Sequence, residues 1–191
     1  MSITLSEMYK IVQPMYAICT AGKGFLGSSI RLLSASRVKL NPLVEACRMR
    51  MANHCGLIVE EGGQLKVAEM LGTGLEINPL SDYFFDEKDV IVSVRKLSFT
   101  ELQIQQANNF VLTVHKTGCL KYSTVELLNF FSVNRNVPKN MYCSELCEIV
   151  ANRFNKTWSH NQLGHRKEAA GIAPCEIQYG CGEKIWDRYP K

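Results

Sequence analysis

A predicted β-hairpin in the first half of the chain most constrains how it can fold. The segment from His54 to Glu60 is almost entirely apolar, which is typical of a strand buried on both faces. The four residues 61–64 (EGGQ) have the composition of a hairpin turn, and residues 65–71 (LKVAEML) return as the partner strand. The hairpin therefore predicts a central antiparallel sheet.

The other periodic segments place most strands in the first half of the chain and most helices in the second. Strands are predicted at 15–20, 89–95 and, as a closing edge strand, 174–179, and the chain from 72 to 77 is predicted to continue extended. Helices are predicted at 28–33, 100–115, 124–131 and 143–154, with shorter helical turns at 43–49 and 79–84. The inward positions predicted for the two longest helices are Leu102, Ala107, Phe110, Val111 and Val114 in one, and Leu146, Ile149, Val150 and Phe154 in the other. This order predicts an α+β fold, a sheet flanked by helices, in a single domain over residues 1–191 without an internal repeat or a linker.

Composition narrows the class of protein without identifying a partner. Hydrophobic residues make up 46% and charged residues 21% of the 191 residues, as in ordinary globular proteins. The net charge of +4 is spread along the chain, so no nucleic-acid partner is predicted. The start of the chain lacks a signal-peptide pattern, and no apolar run reaches the length of a membrane span. We therefore expect a cytoplasmic protein without stable membrane insertion, in which most of the eight cysteines are reduced and buried.

Cys143 is the first candidate for chemistry. Turn residues precede it at 138–140, and the apolar periodicity of a helix begins just after it. In the first turn of a helix, unpaired backbone N–H groups stabilise a thiolate and could also hold a developing oxyanion. The alternative is a buried apolar cysteine, which is the usual state of an intracellular one.

His54 and Glu69 are the residues best placed to act with such a thiolate. His54 opens an apolar strand, where a histidine has no packing advantage, whereas the other three histidines lie at a predicted helix end or in a polar segment. The hairpin places Glu69 opposite His54 or one step diagonal to it, on an otherwise apolar face where a carboxylate needs a partner. Such a carboxylate could orient a histidine base. The alternatives are a satisfied strand-end histidine and a solvent-facing glutamate.

Several short motifs in their order along the chain resemble the circularly permuted branch of the NlpC-type papain-like cysteine peptidases and amidases. That branch includes bacterial YiiX-like proteins, related poxviral proteins and, more distantly, lecithin:retinol acyltransferase-like enzymes. The likeness spans residues 14–180. The motifs are the histidine strand at 54–60, Glu69-Met70-Leu71-Gly72, the segment 74–80, Tyr142-Cys143-Ser144-Glu145-Leu146, and the early glycines Gly22 and Gly24. Cys55 stands where a small aliphatic residue is usual, and 39–50 is a longer stretch than expected.

The resemblance implies a papain-like fold and a thiol-dependent hydrolase that works through an acyl-enzyme. Cys143 would be the nucleophile, His54 the base and then the acid, and Glu69 the orienting residue, while Tyr142 and Ser144 could shape the oxyanion pocket. No cofactor or metal is implied. The implied substrate is an amide in a peptide or cell-wall fragment, with a lipid-like ester or acyl transfer as the second choice. Neither the exact substrate nor the oligomeric state follows from the sequence.

Three rival interpretations remain open at this point. The glycines 22, 24 and 27, with Glu45 further on, match a dinucleotide-binding pattern, although no second βαβ unit follows. Cys143 and Cys147 are one helical turn apart and could bind zinc together with His54 and Cys55, although neighbouring residues on a strand point to opposite sides. The domain could also be a binding module without catalysis.

Overall fold

A computed structural model describes residues 3–22, 52–85, 89–120, 143–154, 177–178 and 183–188 of the chain. Its strands are β1 (Ala17–Gly22), β2 (His54–Glu61), β3 (Gln64–Leu71), β4 (Gly74–Pro79), β5 (Asp89–Lys96) and β6 (Glu183–Arg188). Its helices are α1 (Leu5–Ile11), α2 (Asp82–Phe85), α3 (Glu101–Thr117) and α4 (Cys143–Phe154). The mixed α+β class predicted from the sequence is confirmed.

The six strands form one sheet in the order β4-β3-β2-β1-β5-β6, and every neighbouring pair is antiparallel. The β2–β3 hairpin turns at Gly62 and Gly63, which both have positive φ (60° and 75°), a conformation that glycine adopts without steric cost. The predicted hairpin and the central antiparallel sheet are therefore confirmed.

Helices cover the sheet on both faces, which explains the uninterrupted apolar run in β2. Leu57 and Val59 of β2 belong to the core cluster that also contains Ala107 and Val111 of α3, together with Leu146 and Val150 of α4. Ile58 points the other way, into a second cluster with Met8 of α1 and Tyr83 of α2. Because successive side chains of a strand alternate between faces, a strand covered on both sides has to be apolar throughout.

Local sequence signals determine where the helices begin and end. Thr4 and Thr100 are the N-caps of α1 and α3, each in a capping box with the residue three positions on, Glu7 and Gln103. Gly118 ends α3 in the left-handed conformation. The bounds of α4 are those predicted, so Cys143 is its first residue.

Some predicted inward positions are wrong. Leu102 of α3 is 63% exposed and Ile149 of α4 is 40% exposed, whereas Ala107, Val111, Leu146 and Val150 are buried. The apolar stripe of each helix is narrower than its content of apolar residues suggests, because each helix contacts the sheet along only part of its circumference.

Several elements of the structure differ from those predicted from the sequence. The segment after Leu71 does not simply continue extended: the chain turns at 72–73 and returns as β4, paired with β3. The closing edge strand is β6 at 183–188 rather than 174–179, within which Ile177 and Gln178 are helical and buried. Helix α1 was not predicted. The predicted helices at 28–33 and 124–131 and the helical turns at 43–49 lie outside the described residues.

No helix in the described parts of the chain is long and apolar enough to cross a membrane.

Candidate active site

The first feature of the site is a histidine–carboxylate contact across the β2–β3 hairpin. Gly56 is the direct partner of Glu69 in the strand register, so His54 is the diagonal neighbour of Glu69. His54 Nε2 lies 2.5 Å from Glu69 Oε2, and the side chains are 24% and 7% exposed. The structure thus brings together the two residues that the sequence placed within one diagonal step of each other.

Gly56 provides the space for this contact. A Cβ atom at position 56 would lie 2.7 Å from the backbone oxygen of Ala68, 2.8 Å from Cγ1 of Val67 and 3.2 Å from Cβ of Glu69. Because the closest of these neighbours is backbone, it cannot move aside easily. The missing side chain lets Glu69 lean along the sheet toward His54.

Glu69 has further partners that the sequence did not reveal. Asn78 of β4 donates from Nδ2 to Glu69 Oε1 at 2.9 Å, and Tyr83 of α2 also hydrogen-bonds the carboxylate. Burial favours the neutral acid, but the hydrogen bonds and charge of His54 and the hydrogen bonds of Tyr83 and Asn78 outweigh it, so the pKa of Glu69 is lowered. Glu69 is therefore held as a carboxylate beside the imidazole.

The start of β2 is anchored by buried contacts. The N–H of Ala52 donates to Oε1 of Gln178 at 2.7 Å. Arg95 of β5 donates to the carbonyl of Gln178 and, at 2.6 Å, to Asp187 of β6. Since these groups are almost fully buried, they fix the backbone two residues before His54. Sequence reasoning did not identify this network, because its members are far apart along the chain.

Cys143 lies where the sequence placed it, at the first residue of α4, and is 3% exposed. The Cys143 thiol and the His54 ring are close enough for each to shift the pKa of the other. The pKa of Cys143 is lowered well below the ordinary 9.0, first by a hydrogen bond from the Cys55 thiol, against the opposing effect of burial. The charge and hydrogen bond of His54 and the backbone N–H of Cys55 lower it further.

The electrostatics of His54 complement those of Cys143. Burial favours the neutral ring, but the charge and hydrogen bond of Cys143, followed by those of Glu69, raise the pKa of His54 well above 6.5. Because Nε2 is engaged by Glu69, Nδ1 is the ring nitrogen left to face the sulfur. The arrangement favours an imidazolium between a thiolate and a carboxylate.

Of the two residues predicted to shape the oxyanion pocket, Ser144 is described by the structure. Ser144 follows Cys143 in the first turn of α4, is fully buried, and its Oγ has no hydrogen-bond partner among the described residues. Backbone N–H groups in this turn have no acceptor within their own helix and can serve an oxyanion. Tyr142 lies outside the described residues.

The structure describes only part of the two rival sites. Most of the dinucleotide pattern, including Gly24, Gly27 and Glu45, lies outside the described residues. Within the part of the chain that the structure describes, no group of three or more His, Cys, Asp or Glu side chains is arranged to hold a metal ion.

Comparison with known proteins gives a fold rather than an activity. No family model matches the chain, and no curated protein matches it by sequence. One similar solved structure is the metalloprotein yiiX from Escherichia coli O157:H7, at 12% identity and a TM-score of 0.60. The match covers 94% of this chain and 99% of that one. This chain has a YiiX-like fold. At such low identity, the likeness carries no statement about chemistry.

Proposed function

We propose that this protein is a cysteine hydrolase of the permuted papain-like type. Cys143 is the nucleophile, His54 the general base and then the general acid, and Glu69 the residue that orients the ring. The observation that carries the proposal is the position of His54, whose Nε2 lies 2.5 Å from Glu69 and whose ring interacts electrostatically with Cys143. A nucleophile, a base and an orienting carboxylate in this order are the parts that covalent acyl transfer needs.

The reaction follows from the protonation states. The Cys143 thiolate attacks the carbonyl carbon of an acyl substrate, and N–H groups at the start of α4 stabilise the oxyanion that forms. The His54 imidazolium then gives its proton to the leaving nitrogen or oxygen, which leaves a thioester on Cys143. The neutral ring next takes a proton from water, which attacks the thioester, and the acid product and the resting pair are regenerated.

Glu69 acts through His54. Its carboxylate accepts the Nε2–H, keeps Nδ1 directed at the sulfur, and stabilises the imidazolium, while Asn78 holds the second carboxylate oxygen. Following the family resemblance, we propose an amide in a peptide or cell-wall fragment as substrate. A lipid-like ester or transfer to an acceptor other than water uses the same steps and is the alternative that substrate tests distinguish.

Trapping of the acyl-enzyme tests the proposal. The protein is mixed with p-nitrophenyl acetate, and the mass added to each cysteine is located by peptide mapping. Acetylation at Cys143, released by hydroxylamine and lost in Cys143→Ala and His54→Ala, is the expected result. Cys119→Ala removes an exposed cysteine, and His115→Ala a histidine of α3 that is remote in sequence, so both controls should retain it.

Hydrolysis of peptide amides and lipid esters is then measured for the same variants, with and without a chelator. The solved neighbour is described as a metalloprotein, so loss of activity with the chelator would oppose the thiol mechanism. Acetylation of Cys143 no faster than that of the other cysteines would also contradict the proposal.

A further inference from the structure

Three buried cysteines lie close together at the candidate site, and one of them is the proposed nucleophile. Cys143 and Cys147 are one turn apart on α4, and Cys55 is the second residue of β2, on the face that α4 covers. Cys55 and Cys147 are fully buried, and their sulfur atoms lie 4.0 Å apart. The thiol and the backbone N–H of Cys55 both act on Cys143 and lower the pKa of its thiol. All three are free thiols in the structure.

The hydrogen bonds among these thiols have a direction. A thiol carries a single proton, so it can donate only once. The Cys55 sulfur lies 4.0 Å from that of Cys147, but a thiolate at Cys143 is the stronger acceptor for the single proton of Cys55. The proton of Cys143 itself goes to His54 when the thiolate forms. A hydrogen bond that ends on a charged sulfur is stronger than one between two neutral thiols.

We propose that Cys55 is a positioning residue for the nucleophile, whose thiol donates a hydrogen bond to the Cys143 thiolate and holds that sulfur at the His54 ring. The inference rests on the proposed function, because it matters only if Cys143 reacts as a thiolate. The titratable groups that act directly on Cys143 are His54 and Cys55, both of β2. Glu69 of β3 acts through His54, and Cys147 acts through Cys55.

The proposal distinguishes a hydrogen-bond donor from a packing residue at position 55. Burial raises the pKa of Cys55 itself, and its contacts with Cys143 and Cys147 raise it further, so it stays protonated and able to donate. A purely structural role would require only volume. A donor role requires a proton on the side chain, which serine supplies and valine does not.

The experiment measures iodoacetamide alkylation of Cys143 between pH 4 and 10 by peptide mass spectrometry. In Cys55→Ala and Cys55→Val the midpoint of the rate profile should move to higher pH, and the rate below the midpoint should fall about threefold to tenfold. Cys55→Ser should restore much of the shift. The backbone N–H of residue 55 remains in every variant, so the loss is partial. Cys19→Ala is the matched control, because Cys19 is an equally buried cysteine that faces Cys55 in the β1–β2 register.

The outcomes separate this inference from the proposed function. If Cys143 of the wild type reacts no faster than the other cysteines, the proposed function fails. If it reacts fast and the midpoint is the same in Cys55→Val and wild type, only the role of Cys55 is overturned. A shift in Cys55→Ser as large as in Cys55→Val would also overturn it, since volume and not the donor would then be the cause. Circular dichroism tests whether each variant is folded, and Cys55→Val, which leaves no cavity at position 55, is the second variant should Cys55→Ala not fold.

Discussion

Replacing Glu69 by glutamine is expected to slow the chemistry of Cys143 without emptying the space that Glu69 fills. The carboxylate uses one oxygen for His54 Nε2 at 2.5 Å and the other for Asn78 Nδ2 at 2.9 Å. A glutamine has one oxygen and one NH2 group at these two positions. Either His54 or Asn78 therefore faces a donor instead of an acceptor.

The magnitude follows from the charge and burial of the contact. A hydrogen bond to a charged group contributes about 1.5–3 kcal/mol, and about 1.4 kcal/mol corresponds to a factor of ten. The side chains of Glu69 and His54 are 7% and 24% exposed, so solvent screens the contact only partly. If the imidazolium loses this stabilisation, Cys143 should react about 10- to 150-fold more slowly near pH 7. The pKa of His54 should fall, because the carboxylate charge that raises it is gone.

The assay is alkylation of Cys143 by iodoacetamide, which needs no knowledge of the substrate, with the rate measured across the pH range. Glu60→Gln is the matched control, because it makes the same chemical change at an exposed position of the same hairpin. Circular dichroism and urea unfolding would show that both variants are folded. Equal alkylation rates for Glu69→Gln and wild type at every pH would show that the carboxylate has no influence on the His54–Cys143 pair, contrary to this prediction.

Three other outcomes are expected. Asn78→Ala should lower the alkylation rate of Cys143, but by less than Glu69→Gln does, because the contact between Glu69 and His54 survives. An unchanged rate would show that Asn78 has no part in the site. Gly56→Ala should lower the free energy of unfolding in urea by about 1–3 kcal/mol, because its Cβ would lie 2.7 Å from a backbone oxygen; a stability equal to wild type would mean that the strands separate easily. The His54–Cys143 pair should stabilise the fold most between pH 6.5 and 9.0. The raised pKa of His54 adds to the free energy of unfolding; this contribution is complete below pH 6.5 and is lost as the pH rises through the pKa of His54 in the folded protein. The lowered pKa of Cys143 also adds to the free energy of unfolding; this contribution is complete above pH 9.0 and is lost as the pH falls through the pKa of Cys143 in the folded protein. Urea unfolding of wild type and Cys143→Ala at pH 5, 7.5 and 10 checks this, and a difference that is smallest at pH 7.5 would contradict it.

The sequence predicted those parts of the fold whose signals are local. The β2–β3 hairpin needs only an apolar run, two glycines and a returning strand, and α4 needs only turn residues followed by helical periodicity. These two elements carry His54, Glu69 and Cys143, so the residues of the candidate site could be predicted from the sequence alone. Helix α1 also has a local sequence signal, the capping box of Thr4 and Glu7, but this helix was not predicted.

The parts that the sequence did not predict depend on contacts between distant segments. The role of Asn78 follows only once β4 is seen to turn back on β3, a reversal marked by Gly74 with its φ of 129°. Gln178 contacts Ala52, which is 126 positions away along the chain, and no sequence pattern near either residue predicts that contact. The exposure of Leu102 likewise depends on which side of α3 packs against the rest of the protein, which periodicity alone does not give.

In the proposed resting state, His54 carries a proton taken from Cys143. Nitrogen-15 NMR of the labelled histidine rings measures this directly, because the two ring nitrogens have different shifts in the neutral and the charged form. In the wild type the His54 ring is expected to remain protonated on both nitrogens well above pH 6.5, and Cys143→Ala should lower the pKa of His54. A His54 ring that loses its proton at the same pH in both proteins would contradict an ion pair between His54 and Cys143.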